Sequence, residues 1–191
     1  MAKPKIPGTD AIVVGSGPNG LSAAIRLAQS GWSVCVLEAE EQPGGGVRSA
    51  ELTLPGYVHD ICSSVYPMVV CSPYLRTLPL EQHGLKWAYP EVPLAHPFDD
   101  GSAAAVYRSV EQTAAALGED AEAYKKLIGD PAAHWEDLFA AVFAPWRPVR
   151  HPLLMANFGL RALRSARTLA RAFFRTNKAQ ALFAGIAGHA M

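Results

Sequence analysis

Residues 10–38 read DAIVVGSGPNGLSAAIRLAQSGWSVCVLE, and the alternation of apolar runs and glycines in this stretch decides the fold. Ala11, Ile12, Val13 and Val14 form a short apolar run of the kind expected in a strand buried on both faces. The turn Gly15, Ser16, Gly17, Pro18, Asn19, Gly20 follows without a spacer. Gly15 permits a tight turn, Gly17 lets backbone come close to a diphosphate, and Gly20 lets a helix pack close against the strand. Leu21, Ala24, Ile25 and Ala28 then recur at helical spacing, Ser30–Gly31 supplies a left-handed stop, and Ser33 to Leu37 reads as a second strand. Glu38 stands at its carboxyl end with Ala39 behind it. Strand, glycine turn, helix, strand and acid together open a parallel, dinucleotide-binding sheet of α/β class.

That chemistry explains the residue types. A diphosphate is held by free backbone N–H groups at the positive end of a helix, so side chains must be absent from the turn. A carboxylate eighteen residues beyond the last glycine accepts hydrogen bonds from both ribose hydroxyls of an adenosine and repels a 2′-phosphate, which disfavours NADP. A second glycine patch comes directly afterwards: Gln42, Pro43, Gly44, Gly45, Gly46, Val47, Arg48, Ser49. It offers another place where backbone meets a ligand, and Arg48 sets a cation beside it for phosphate oxygens. A nicotinamide-linked dehydrogenase has no need of this patch. The plainer alternative is a glycine-rich surface loop with a solvated arginine.

The combination VVGSGPNGLSAAIRLAQSGWSVCVLEAEEQPGGGVRS, followed by LPGYVHDICSSVYP, resembles the start of FAD-dependent oxidoreductases of the phytoene desaturase type, and within them the phytoene dehydrogenase-like group. The resemblance is close over about the first seventy residues and looser beyond. It implies that Gly15, Gly17, Gly20 and Glu38 hold the ADP half of FAD, with Gly44 and Gly45 as the double glycine after the acid. Many relatives carry an arginine immediately after that pair; this chain has Gly46 there and Arg48 two residues later. The resemblance also implies a flavin that removes or moves hydride at a small hydrophobic substrate. The competing readings are an NAD-linked dehydrogenase and a truncated, non-catalytic remnant that binds a membrane or a partner chain.

Composition bounds the rest. With 191 residues, 50% of them hydrophobic and 18% charged, the chain suits a globular protein of one or two domains. A formal net charge of zero gives no global field for nucleic acid, and none is expected as a partner. Cys35, Cys62 and Cys71 form no CxxC pair, which suits a reducing, cytoplasmic setting and argues against a disulfide framework or a zinc site. The N-terminal MAKPKIPGTD lacks the apolar run of a signal peptide, and no stretch reaches the roughly eighteen apolar residues of a membrane span. His59 and Asp60 are adjacent on an expected strand and point to opposite faces, so they do not form an acid–base pair. The other histidines show no metal-ligand spacing, and no catalytic side chain stands out.

Beyond residue 71 the pattern predicts a mixed substrate or cap domain, residues 72–191, following the N-terminal part of an FAD-binding domain at 1–71. The expected elements are a short helix over Tyr74 to Leu80, a break at Gly84, a strand over Leu85 to Tyr89, and a hairpin with Asp99-Asp100-Gly101 at its turn. Ser109 to Gln112 reads as a capping box, and helices are expected to Leu117, over Asp120 to Ile128, and from Asp130–Pro131 to before Pro145. After Asp137 no acidic residue occurs, while arginines fall at 147, 150, 161, 164, 167, 171 and 175 with Lys178. On a basic helix over 159–175, Arg161, Arg164, Arg167, Arg171 and Arg175 share an arc of about 120°, opposite Leu163, Leu169 and Phe173. Two readings stand: a core-facing helix with a solvated arginine face, or peripheral contact with an anionic membrane. A last helix is expected from Asn177. Because nothing after Leu85 repeats strand–helix alternation, the chain reads as truncated, the N-terminal portion of a longer protein, with a missing C-terminal half or a homo-oligomer to cover its apolar faces.

Overall fold

A computed structural model describes residues 8–143 and 150–189; the N-terminal tail, Pro145, Arg147 and Met191 lie outside the described residues. The chain divides into two compact units, Met1–Leu78 and Pro79–Met191.

In the first unit, β1 (Ala11–Val14) pairs in parallel with β2 (Val34–Leu37), with Ala11 opposite Val34 and Val14 opposite Leu37. Helix α1 (Pro18–Gln29) connects them. Pro18 opens α1, where its missing N–H is no loss, and Gly31 (φ +86) follows its C-cap with its N–H on the Ala28 carbonyl. The Gly15 N–H continues the ladder onto the Leu37 carbonyl at 2.7 Å, which sets the start of the turn. One expectation is corrected: β1 is not buried on both faces. Among the described residues it has β2 as its one strand partner, and Ile12 and Val14 point away from the packed side, Val14 at 83% exposure. An apolar run is a necessary feature of a strand covered on both sides, and does not itself provide the cover. Ala24, on the face of α1 that meets the sheet, is buried.

A small antiparallel pair follows, β3 (Ser49–Glu51) with β4 (Val58–Asp60), joined through the turn at Gly56. Helix α2 (Pro67–Cys71) comes next. The expected helix over Tyr74 to Leu80 is replaced by two tight 3₁₀ turns, Leu75–Thr77 and Leu80–His83, the second stopped by Gly84 at φ +94. The expected strand over Leu85 to Tyr89 does not form. Its apolar pattern finds no strand to pair with, and Tyr89 instead lies under the Arg108 guanidinium at 4.9 Å.

The second unit holds the core. Hairpin β5 (Leu94–Pro97) with β6 (Ala103–Val106) turns at Gly101 (φ +78), where Asp100 takes the Ser102 N–H and hydroxyl. Helix α3 (Val110–Ala116) is capped by the Ser109 hydroxyl, which accepts from the Glu111 and Gln112 N–H groups. Helix α4 (Ala121–Tyr124) runs through a wide π-type turn, Lys125–Gly129, into α5 (Asp130–Ala133), and α6 (Trp135–Phe143) follows after a break at His134. The cause of the wide turn lies in Pro131, which has no N–H to give the Leu127 carbonyl. Arg161 Nη1 reaches the Lys126 and Leu127 carbonyls at 3.2 and 3.5 Å instead.

The single basic helix over 159–175 is a further correction. The segment is two helices, α7 (Pro152–Ala162) and α8 (Ala166–Phe173), because Ser165 leaves the helix and caps α8 through the Thr168 N–H. The arc of five arginines therefore does not exist. Arg161 turns inward over the Phe173 ring at 5.4 Å, Leu163 stands 87% exposed instead of opposing the arginines, and Leu169 is buried. Helix α9 (Asn177–His189) closes the unit, and the core gathers Ala104, Leu117, Tyr124, Leu127, Phe174 and Leu182.

Two glycines on helices make opposite predictions. A Cβ on Gly185 of α9 would lie 2.3 Å from the His96 ring, so Gly185→Ala should lower the stability of this unit by about 1–3 kcal/mol despite its gain in helix propensity. Gly159 in α7 has open space, and Gly159→Ala should raise stability by up to about 1 kcal/mol. Urea denaturation of both variants checks the pair; equal effects would contradict the packing.

Candidate functional site

The site is built where β1 hands over to α1. Gly15 takes φ +94, a conformation that L side chains rarely adopt, and swings the chain so that Gly17 becomes the N-cap of α1. No side chain caps that end, so the first-turn N–H groups, Asn19 and Gly20 among them, are not taken by a capping side chain. A Cβ on Gly20 would sit 2.1 Å from the Gly15 carbonyl oxygen, which states in distance why the last glycine of the turn must be glycine.

Glu38 emerges from β2 beside this turn. Its Oε2 accepts from the Ser16 N–H at 2.8 Å and from the Ser16 hydroxyl at 2.5 Å; its Oε1 accepts from the Ala39 N–H at 2.8 Å and the Glu40 N–H at 3.1 Å. The Ser16 hydroxyl first, then the Ser16 and Glu40 N–H groups, draw the Glu38 carboxyl down to about 2, against a small opposing effect of burial. The group is therefore an anion throughout the physiological range. Sequence spacing placed Glu38 at the turn. That Ser16, 3% exposed, ties it there was not read from the sequence, although a hydroxyl inside a glycine turn was the available signal.

The second glycine patch folds back onto the first. Gly44 (φ +124) donates its N–H to the Ser16 carbonyl at 3.0 Å, and a 3₁₀ turn over Gly45–Val47 follows. A Cβ on Gly45 would lie 3.1 Å from the Gly17 Cα, so two stretches of side-chain-free backbone touch. The Gly46 carbonyl accepts from the Ser63 N–H and the Arg48 carbonyl from the Ile61 N–H, which anchors the patch to the residues after β4. Arg48 faces its own loop: Nε donates to the Gly45 carbonyl at 3.0 Å, and Nη1 stands 3.3 Å from Glu40 Oε2.

His59 and Asp60 lie on opposite faces of β4. His59 Nε2 meets the Thr53 hydroxyl at 2.8 Å and Asp60 accepts from the Ser49 hydroxyl at 2.7 Å, so the two are apart as their adjacency on a strand requires. Among the described residues, no group of three or more His, Cys, Asp or Glu side chains gathers to hold a metal ion.

What this arrangement can accept follows from its chemistry. A helix end without a side-chain cap suits a diphosphate, and an ionised carboxylate at the mouth suits a ribose diol. A Cβ on Gly45 would press on the Gly17 Cα, so the close approach of the two loops depends on Gly45 being glycine.

Known proteins point the same way. The family model for the NAD(P)-binding Rossmann-like domain matches residues 13–78. A limonene dehydrogenase component from Castellaniella defragrans is 28% identical over 122 residues, 62% of this chain and 22% of that protein. Carotenoid 3,4-desaturase of Haloarcula japonica is 44% identical over 63 residues, 33% of this chain and 12% of that protein. Among solved structures, wild-type putrescine oxidase bound to putrescine superposes with a TM-score of 0.50 at 26% identity, over 90% of this chain and 35% of that one. By that match, residues 13–78 are of the Rossmann-like nucleotide-binding class. More narrowly, the N-terminal portion of this chain is similar to that of FAD-dependent oxidoreductases of the phytoene desaturase-like family. The aligned part is about a third or less of the length of each of these three proteins.

Proposed function

We propose that the chain supplies the ADP-binding part of an FAD-dependent oxidoreductase, with Gly15, Ser16, Gly17, Pro18, Asn19, Gly20, Glu38, Ala39, Gly44, Gly45, Gly46 and Arg48 as the cofactor-binding residues. The turn and the start of α1 take the diphosphate, Glu38 takes the ribose, and Arg48 holds the second glycine loop in shape. Bound FAD supplies the hydride acceptor for a desaturation or related redox step. The substrate is a small hydrophobic molecule, in keeping with relatives named for limonene and for carotenoids. The observation that carries the flavin reading over an NAD-linked dehydrogenase is the seating of Gly44 and Gly45 on Ser16 and Gly17. A nicotinamide site has no use for that second loop.

Titration of the purified chain with FAD, followed by calorimetry and flavin fluorescence, tests it. One-to-one binding displaced by ADP is expected. Gly45→Asp should weaken it about a hundredfold or more, since the new carboxylate meets the Gly17 backbone from a residue at φ +56 and repels the diphosphate. An unchanged affinity in that variant would return the advantage to the NAD-linked reading.

The setting we assign is cytoplasmic, on the ground that the spacing of Cys35, Cys62 and Cys71 in the sequence has no CxxC pair and suits a reducing compartment. Among the described residues no helix is long and apolar enough to cross a membrane. Peripheral membrane contact no longer has a continuous arginine-lined helix to support it.

A further inference from the structure

A carboxylate offers about four lone-pair positions, and in this chain all four of those of Glu38 are occupied by the chain itself. Three of the donors are backbone N–H groups, of Ser16, Ala39 and Glu40, and the fold fixes them. The fourth is the Ser16 hydroxyl, the one donor on a freely rotating bond. A ribose diol brings two further donors to the same carboxylate. It therefore needs an acceptor position that is already filled, and one donor in the set is able to yield without moving the main chain.

We propose that the Ser16 hydroxyl holds the place of a ribose hydroxyl on Glu38 and turns away when an adenine nucleotide enters, which makes Ser16 the residue that sets how strongly the site reads ribose. This rests on the nucleotide reading of the same site. Before binding, Ser16 keeps the carboxylate aimed across the turn. On binding, its hydroxyl gives up its bond to Glu38. Ser16 is 3% exposed, so water does not readily replace the partner it loses. Part of the gain from one ribose hydrogen bond is thus cancelled in the native chain, and removal of the serine hydroxyl removes the cancellation.

The experiment compares ADP, 2′-deoxy-ADP and 3′-deoxy-ADP by calorimetry on the native chain and on Ser16→Ala. The quantity read is the ratio of dissociation constants, deoxy ligand over ADP, within each protein, so a general loss of affinity or stability in the variant divides out. In Ser16→Ala this ratio should increase about tenfold for one of the two hydroxyls, the weight of a hydrogen bond to a charged acceptor. Equal ratios in the two proteins for both hydroxyls would overturn the proposal while leaving the site a nucleotide site. Loss of all ADP binding in Ser16→Ala, with the native chain still binding, would also overturn it, by making Ser16 a fixed support for Glu38. Failure of the native chain to bind ADP would remove the nucleotide reading and this inference together.

Discussion

Gly20→Ala is expected to abolish nucleotide binding and to unfold most of the first unit. The added Cβ would stand 2.1 Å from the Gly15 oxygen, 3.1 Å from its carbonyl carbon and 3.5 Å from Val13 Cγ1. The first two are main-chain atoms, so no side chain can rotate out of the way. Gly15 cannot retreat either, because its N–H is bonded to Leu37 at 2.7 Å and its φ of +94 is set by the turn. Relief requires α1 to lift from β1, which uncovers Ala24 in a unit with few buried apolar residues. Overpacking of ordinary cores costs about 1–3 kcal/mol, and a clash against backbone lies at or above the top of that range. Circular dichroism melting and FAD titration check the result. Gly46→Ala, where a Cβ meets nothing within 4 Å, should leave the melting intact. Native-like melting and affinity in Gly20→Ala would contradict the geometry of the turn.

The second large effect belongs to Asp120, which is 1% exposed in the other unit. Its carboxylate accepts from the Arg175 N–H at 2.8 Å, the Thr176 N–H at 2.8 Å and the Thr176 hydroxyl at 2.6 Å; that hydroxyl in turn accepts from the Ala179 N–H in the first turn of α9. Asp120→Ala leaves these part-buried donors without their acceptor and should cost about 3 kcal/mol, measured by urea denaturation. Thr176→Val, which removes one of the three, should cost less. The pH dependence has a definite sign. Burial pushes the Asp120 carboxyl up, but the Thr176 hydroxyl and the Arg175 and Thr176 N–H groups together outweigh it and leave it lowered. A lowered carboxylate contributes stability that is present above the unfolded value of about 3.9 and is lost as pH falls towards the folded value. The native chain should therefore lose stability below about pH 4 more steeply than Asp120→Ala. Parallel acid curves would show that the fold does not favour the Asp120 carboxylate over its protonated form.

The first unit was largely legible because its signals are local. Gly15, Gly17 and Gly20 are dictated by backbone conformation and clearance within a few residues, and Gly31 marks a stop; in the second unit Gly101 and Ser109 mark a turn and a cap in the same local way. Contacts between distant residues were not legible. Nothing near Asp120 in sequence announces a bond to Arg175, and nothing in Ser49–Glu51 announces a strand until Val58–Asp60 lies beside it. Leu85 to Tyr89 has the pattern of a strand and no partner, so the pattern alone gives an extended loop. The basic segment failed differently. An angular count of arginines treats the helix as unbroken, whereas Ser165 followed by Thr168 carries a local cap signal strong enough to divide it. Within the site, the distance from the glycines marks the acid, whereas spacing does not assign the Ser16 hydroxyl as its partner.

The meeting of Gly45 with Gly17 has a thermodynamic consequence. Neither stretch forms a receptor alone, and their contact exists only when β1, α1, β2 and the loop after Glu38 have all folded. A guest that recognises the joined surface is linked to folding by mass action: at a hundred times its dissociation constant it adds about 2.7 kcal/mol to the assembled state. The melting temperature of this unit should then climb with the logarithm of free FAD concentration, while in Gly45→Asp the climb should begin only at FAD concentrations about a hundredfold higher.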